Sequence, residues 1–208
     1  MGYIMSNDKI NEKLLQFNEF FSIKHTFNIN VKLLNNDEII SHKNFIENIP
    51  TAFKLANDMA VLDEAALAPL GAISGIAGQL AQFLHHQNKK IDLLINHILS
   101  EQDNATLRHK GITFGGGGIE FCYPSPFTLN DLLEIKIFLS DQNCAVFCYA
   151  AVIEIKKNDD VYNHKVVFHH IREEDREKLV RSSLHLQSKQ LQQLAKERNQ
   201  ELSDPTSN

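Results

Sequence analysis

The residues with the most chemical capacity in this chain fall in short clusters. Gly115-Gly116-Gly117-Gly118 could cradle a phosphate, because a backbone without Cβ lets N–H groups approach an anion closely. No Gly-Lys-Ser/Thr follows it and no dinucleotide spacing surrounds it, so a bulge or a close backbone approach is the expected role, with Gly117 or Gly118 in a conformation that a Cβ would disfavour. Arg108-His109-Lys110 and Lys89-Lys90 are the densest basic clusters, and both are expected on solvated surface. His85-His86 and His169-His170 offer imidazoles but lack a suitably spaced second ligand set, so no metal is predicted. Cys144-x-x-x-Cys148 could form a redox pair or half a metal site. Its even spacing in a strand-like run puts both thiols on one face, and buried structural thiols are expected instead. No Ser/His/Asp or Cys/His arrangement stands out, so the chain is read as non-enzymatic, with no catalytic residues.

Length and charge narrow the field further. The 208 residues can bury a real core and suit one domain carrying a large insertion. A net charge of −5 opposes nucleic-acid binding, which needs a basic face. There is no secretory signal and no apolar run long enough to span a membrane. The expectation is a cytoplasmic protein without membrane insertion, its three cysteines reduced.

The elements that must position these residues follow from periodicity. Ile10, Leu14, Phe17 and Phe21 have helical spacing, which predicts an amphipathic helix within an N-terminal lead-in, residues 1–26. Phe27 to Leu33 alternates apolar and polar, a half-buried first strand over 27–34, and Asn35-Asn36-Asp37 ends it. Residues 38–50 show no clear pattern. From 51 to 101 the chain is rich in Ala, Leu, Ile and Gln, and apolar residues recur at 3,4 spacing. The predicted assembly seam is Leu62, Ile73, Ile76, Leu80 and Phe83, then, after a phase shift, Ile91, Leu94 and Ile98. The added four-residue step before Ile91 reads as a stutter, and Pro69 as a kink or a break between two helices. A helix of about 30 residues is roughly 45 Å long, more than a small barrel can cover, so self-association is expected.

Residues 111–170 read as β-structure. Ile112–Phe121 is taken as one strand, Leu133–Leu139, Ala145–Ile155 and Tyr162–Phe168 as others, with turns at 140–143 and 157–160. Short strands joined by tight turns favour a small antiparallel barrel. A helix over 171–200 opens on Glu173, Glu174 and Asp175, which suit its positive end, and carries Val180, Leu184, Leu191 and Leu194. Residues 201–208 are expected to be a disordered tail.

The β-region and its following helix resemble a PilZ domain from about Gly111 to Gln190. The match is carried by Gly117-Gly118-Ile119-Glu120-Phe121 and by a strand ending in Phe168 before Ile171-Arg172-Glu173-Glu174-Asp175-Arg176-Glu177. Phe20-Phe21-Ser22-Ile23 resembles the family's opening strand, and Gln87 to Leu94 resembles the long helix of a divergent subclass. In that subclass helices are inserted between the first two barrel strands and assemble a tetramer. The resemblance therefore implies an α+β fold: a PilZ-like antiparallel barrel with long inserted coiled-coil-type helices and a C-terminal helix. It also implies a bacterial signalling module, homo-oligomeric and tetrameric, with a protein partner that the sequence does not identify.

The ligand implied by the family is cyclic di-GMP. Its receptors use R-x-x-x-R before the first strand and [D/N]-x-S-x-x-G later, the arginines supplying planar forks for phosphate and guanine. In this chain the resemblance puts Asn18 and Ser22 at the arginine positions, Thr113 at the Asp and Gly115 at the Ser, and only Gly118 keeps its type. Weak or no binding is expected, and no cofactor. The alternative is a true receptor with a non-standard site built on Arg108, His109 and Lys110. Arg172-x-x-x-Arg176 has the arginine spacing but lies after the barrel among Glu173, Glu174 and Glu177, where a surface ion network is expected.

Overall fold

The computed structural model describes residues 11–34, 41–56, 58–59, 76–142 and 144–203. Residues 11–18 form a first helix, α1. The barrel strands are β1 (Ser22–Leu33), β2 (Arg108–Gly115), β3 (Gly118–Tyr123), β4 (Leu132–Leu139), β5 (Cys144–Asn158) and β6 (Val161–Ile171). They close in the order β1-β2-β3-β6-β5-β4, every neighbouring pair antiparallel. Closure removes sheet edges, so no strand of the barrel is left to recruit another chain.

The inserted helices lie between β1 and β2. They are α2 (His42–Asn48), helical residues 51–56 (α3) and α4 (Ile76–Ser100). Helix α5 (Glu173–Ser203) follows the last strand. The expected α+β architecture is present, with five local corrections. The first strand begins at Ser22 rather than Phe27. The stretch read as one strand over Ile112–Phe121 is two strands, because the chain reverses at Gly116-Gly117. The insertion begins at α2, inside the segment that showed no pattern, where the Ser41 side chain accepts from Asn44 N at 3.2 Å as an N-cap. The lead-in helix ends at Asn18, short of Phe21, and α5 runs to Ser203, three residues into the expected tail. The proposed kink at Pro69, seam residues Leu62 and Ile73, and residues 204–208 of the expected tail lie outside the described residues.

Strand β5 explains how a small barrel carries so much helix. Val146, Cys148, Ala150 and Val152 point into the barrel and pack with Phe114, Phe121, Ile135 and Phe168. The alternate residues point outward: Phe147 and Tyr149 meet Phe45, Ile49, Phe53 and Leu99 of the inserted helices, and Ala151 and Ile153 meet Phe17 of α1. Period-two alternation in a strand buried on both faces yields a continuous apolar run, and Ala145–Ile153 is that run. Phe45 is fully buried, stacked on Phe147 with centroids 5.9 Å apart and edge-on to Tyr149 at 5.2 Å. Burying such a ring contributes roughly 1.5–3 kcal/mol, so the base of the insertion is a firm part of the domain.

Candidate functional site

The barrel brings most of the ligand-motif positions to one end. Ser22 is the Cα partner of Gly115, and Lys24 the partner of Thr113, in the β1–β2 ladder. Gly118 opens β3 opposite Val167 of β6. Asn18 closes α1 and is exposed.

The glycines at this end are packed against protein. A Cβ on Gly115 would meet the Phe21 carbonyl, and one on Gly118 would meet the Val166 carbonyl and the Phe17 ring. One on Gly117 would lie 2.7 Å from the Phe17 carbonyl oxygen. None of these glycines has a positive φ, so close approach and not backbone conformation is what demands glycine here, a correction to the conformational expectation. The space a side chain would take at these glycines is filled by Phe21 and Ser22, by α1 and by β6.

Arg176, expected in a surface network, lies across this turn instead. Its NH1 donates to Gly116 O at 2.6 Å, its Nε lies 3.4 Å from Glu173, and its guanidinium sits 5.4 Å from the centroid of Phe20. Arg172 is more deeply placed: its side chain is 12% exposed, it holds the fully buried Asp175 at 2.7 Å, and it donates to Phe53 O at 3.0 Å. Lys178 joins Asp175 at 3.3 Å. Burial pushes the Asp175 carboxyl up, against the opposing pull of Arg172 and Lys178. The R-x-x-x-R spacing thus clamps α5 to the turn and to the inserted helices. Arg172 immediately precedes α5 and Arg176 lies in its first turn, and only the barrel's closure puts Phe53 and Gly116 within their reach.

Beside Arg176 runs an open groove of about 480 Å³, lined by Phe20, Glu173, Arg176, Glu177, Val180, Arg181 and Leu184. Its two arginines are matched by two glutamates, and Arg176 is already engaged.

The alternative cluster on β2 is also engaged. Arg108 pairs with Asp103 at 2.9 Å, and Lys110 donates to Asn28 Oδ1 at 2.8 Å. Asp103 accepts from Asn30 at 2.8 Å, and Asn30 in turn accepts from Asn104 N at 2.7 Å. This network ties the chain after α4 onto β1. His109 packs on Tyr123 with centroids 4.3 Å apart, and burial lowers its pKa. Sequence reasoning grouped these three residues by charge; their partners on β1 and at 103–104 are distant in sequence and carried no local signal.

The remaining titratable groups read as structural. The Cys144 thiol, in a crevice of about 230 Å³ beneath α4 with Asp92, Asn96 and Lys178, is pushed by burial to about 11. Cys148 is fully buried and its pKa is raised further by the same cause. Neither thiol is poised as a thiolate. His164 is buried, accepts from Phe127 N at 3.2 Å through Nε2, and its Nδ1 faces Tyr162 O at 3.1 Å. Burial lowers its pKa, so the neutral ring staples the loop after β3 to the barrel. Among the described residues no group of three or more His, Cys, Asp or Glu is arranged to hold a metal.

Among the described residues, exposed large apolar side chains are most numerous on α4. Leu99 at its C-terminal end is buried against the barrel, yet Leu80 is 59% exposed, Phe83 56%, Leu94 64% and Ile98 44%. Ile91 is half-buried between them. The helix runs unbroken from Ile76 to Ser100, and a 4–3–4–3–4 seam connects Leu80, Leu84, Gln87, Ile91, Leu94 and Ile98. The stutter seen in the sequence disappears once Leu84 and the polar Gln87 are counted in the seam. No described helix is long and apolar enough to cross a membrane.

A closed six-stranded antiparallel barrel, with helices inserted after its first strand and a clamped helix after its last, defines a small α+β domain class with a helical appendage. Residues 87–185 match the PilZ domain family model, and the chain carries a PilZ domain. A structure similar over 86% of this chain and 96% of its own is a pathogenic protein from Xanthomonas campestris, at 15% identity and a TM-score of 0.53. That protein is described as a tetrameric PilZ domain self-assembled via an unusual helical bundle. The Bacillus subtilis inhibitor of motility MotI/DgrA is similar over 39% of this chain and 42% of its own, at 17% identity and a TM-score of 0.37. MrkH of K. pneumonia is similar over 41% of both chains, at 14% identity and a TM-score of 0.37. No curated protein matches the chain.

Proposed function

We propose that this chain is a non-enzymatic PilZ assembly module, which homo-oligomerises through α4 and presents its barrels to a protein partner in bacterial cytoplasmic signalling. The observation that carries the reading is the exposed seam of α4. Leu80, Phe83, Leu94 and Ile98 are exposed along one side of a helix whose C-terminal end is packed against the barrel through Leu99 and Ile95. A seam at heptad spacing matches a second copy of itself, which is how helices of this kind find partners. The tetramer of the similar Xanthomonas protein supports four copies. Phe83 widens the apolar face beside the Leu84–Ile91–Ile98 row, which favours contact with more than one neighbouring helix.

Cyclic di-GMP is bound weakly or not at all in this reading. Asn18 and Ser22 offer no guanidinium, the glycine turn is packed under α1, and Arg176 is committed to Gly116 and Glu173. Arg108 and Lys110 serve the β1 network, which weakens the receptor alternative. Light scattering on the purified chain, alongside calorimetric titration with cyclic di-GMP, tests both halves. The reading expects a stable oligomer and no micromolar binding; a monomer overturns the first half, and tight binding overturns the second.

A further inference from the structure

Gln87 interrupts an otherwise apolar seam. Leu80 and Phe83 precede it by seven and four residues, and Ile91 and Leu94 follow it by four and seven. These four apolar positions are therefore spaced symmetrically about one amide, while Leu84 is mirrored by Lys90. Leu80, Phe83 and Leu94 are each more than half exposed, while Gln87 and Ile91 are half-buried within the single subunit. Lys89 and Lys90 follow Gln87 after Asn88 and are exposed, and Lys89 lies on the side of the helix away from Leu80 and Leu94.

We infer that Gln87 is the register-setting residue of the assembly, and that its partner is Gln87 of a second copy. The inference rests on the reading of α4 as the self-association surface. An amide that enters a helix–helix core without a hydrogen-bond partner is strongly unfavourable. A carboxamide is both donor and acceptor, so two or more Gln87 side chains at one level satisfy one another, each N–H₂ meeting the next Oε1. A parallel in-register bundle brings them to one level. An antiparallel pair centred on Gln87 does the same, and there Leu80 meets Leu94 and Phe83 meets Ile91. A register that matches it with any other seam position sets the amide against Leu80, Phe83, Leu84, Ile91, Leu94 or Ile98. The spacing thus permits self-pairing in either helix direction, but only at the register that matches Gln87 with Gln87. A single polar residue in a coiled-coil core acts in this way, fixing register and copy number while lowering stability.

Two substitutions in the full chain test this. Gln87→Cys should form an interchain disulfide between the two position-87 peptides under mild oxidation, identified by mass spectrometry, whereas Lys89→Cys should not. Gln87→Leu should remain assembled and melt at a higher temperature, but sediment as more than one species. No position-87 link in an oligomeric protein overturns the inference, as does a Gln87→Leu variant that sediments as a single species of wild-type mass. A wild type that is monomeric defeats the underlying assembly reading instead, so the two failures are distinguishable.

Discussion

Ser22 and Gly115 are Cα partners across the β1–β2 ladder, so the two halves of the ligand motif meet in space although 93 positions separate them in the chain. What meets there is a hydroxyl and a glycine packed on the Phe21 carbonyl, in place of a guanidinium and a serine. Neither residue contributes a guanidinium to this end of the barrel.

The first expected outcome is the loss of affinity this implies. Hydrogen bonds to charged groups contribute about 1.5–3 kcal/mol each. Two missing arginines then correspond to roughly two to four decades in Kd. Isothermal titration of the wild type with cyclic di-GMP should show no binding at micromolar ligand, and restoring the pair as Asn18→Arg with Ser22→Arg should raise affinity. A micromolar or tighter wild-type Kd contradicts the prediction.

Gly118→Val should destabilise the barrel. The added carbons would enter the space of the Val166 carbonyl and the Phe17 ring, so β3 must shift or α1 must lift. Overpacking of this kind costs about 1–3 kcal/mol. Urea unfolding followed by circular dichroism measures it, and an unchanged midpoint would show that the space is not needed.

Asp175→Ala should be more damaging. The carboxylate is fully buried between Arg172 and Lys178, and its removal leaves Arg172, 12% exposed, without its 2.7 Å partner. Removing one partner of a buried pair costs roughly 3–5 kcal/mol. Because Arg172 also holds Phe53 O, proteolysis should open the inserted helices of this variant first. Equal protease resistance in variant and wild type would argue against the clamp.

Acid should loosen the domain through His164. Its folded pKa lies below the ordinary value of 6.5, so the folded state binds fewer protons than the unfolded state. The stability it contributes is complete above about 6.5 and declines as pH falls below that value. Melting temperatures between pH 7.5 and 5.5 should show this slope, and His164→Phe should flatten it while lowering the plateau through loss of the contacts with Phe127 N and Tyr162 O. An unchanged slope in the variant would place the acid sensitivity elsewhere.

What the sequence made legible was whatever repeats locally. The alternation in β4 and β6, the apolar run of β5 and the acidic start of α5 each follow from a short-range period or from helix-end electrostatics. The division between β2 and β3 was hidden because Gly115–Gly118 offers no side-chain pattern to mark the turn. Helix α2 was hidden because only Phe45 of its residues is buried, so its periodicity had too few members. The roles of Arg172, Arg176, Arg108 and Lys110 depend on partners brought in by tertiary structure: Phe53 O, Gly116 O, Asp103 and Asn28. Charge clusters alone do not reveal such partners. The stutter read between Phe83 and Ile91 arose from following Phe83 in place of Leu84 and passing over the polar Gln87.

Light scattering of the wild type beside a Leu80→Asp, Leu94→Asp double variant tests the central claim most directly. Both leucines are exposed in the single subunit, so the substitutions leave the barrel core intact; in an assembled seam each unpaired carboxylate costs several kcal/mol. The account predicts a concentration-stable wild-type oligomer, with a tetrameric mass, and a folded monomeric variant that retains the barrel's circular dichroism. A wild type that is monomeric at high micromolar concentration, or an oligomer that survives both substitutions, would contradict assembly through α4.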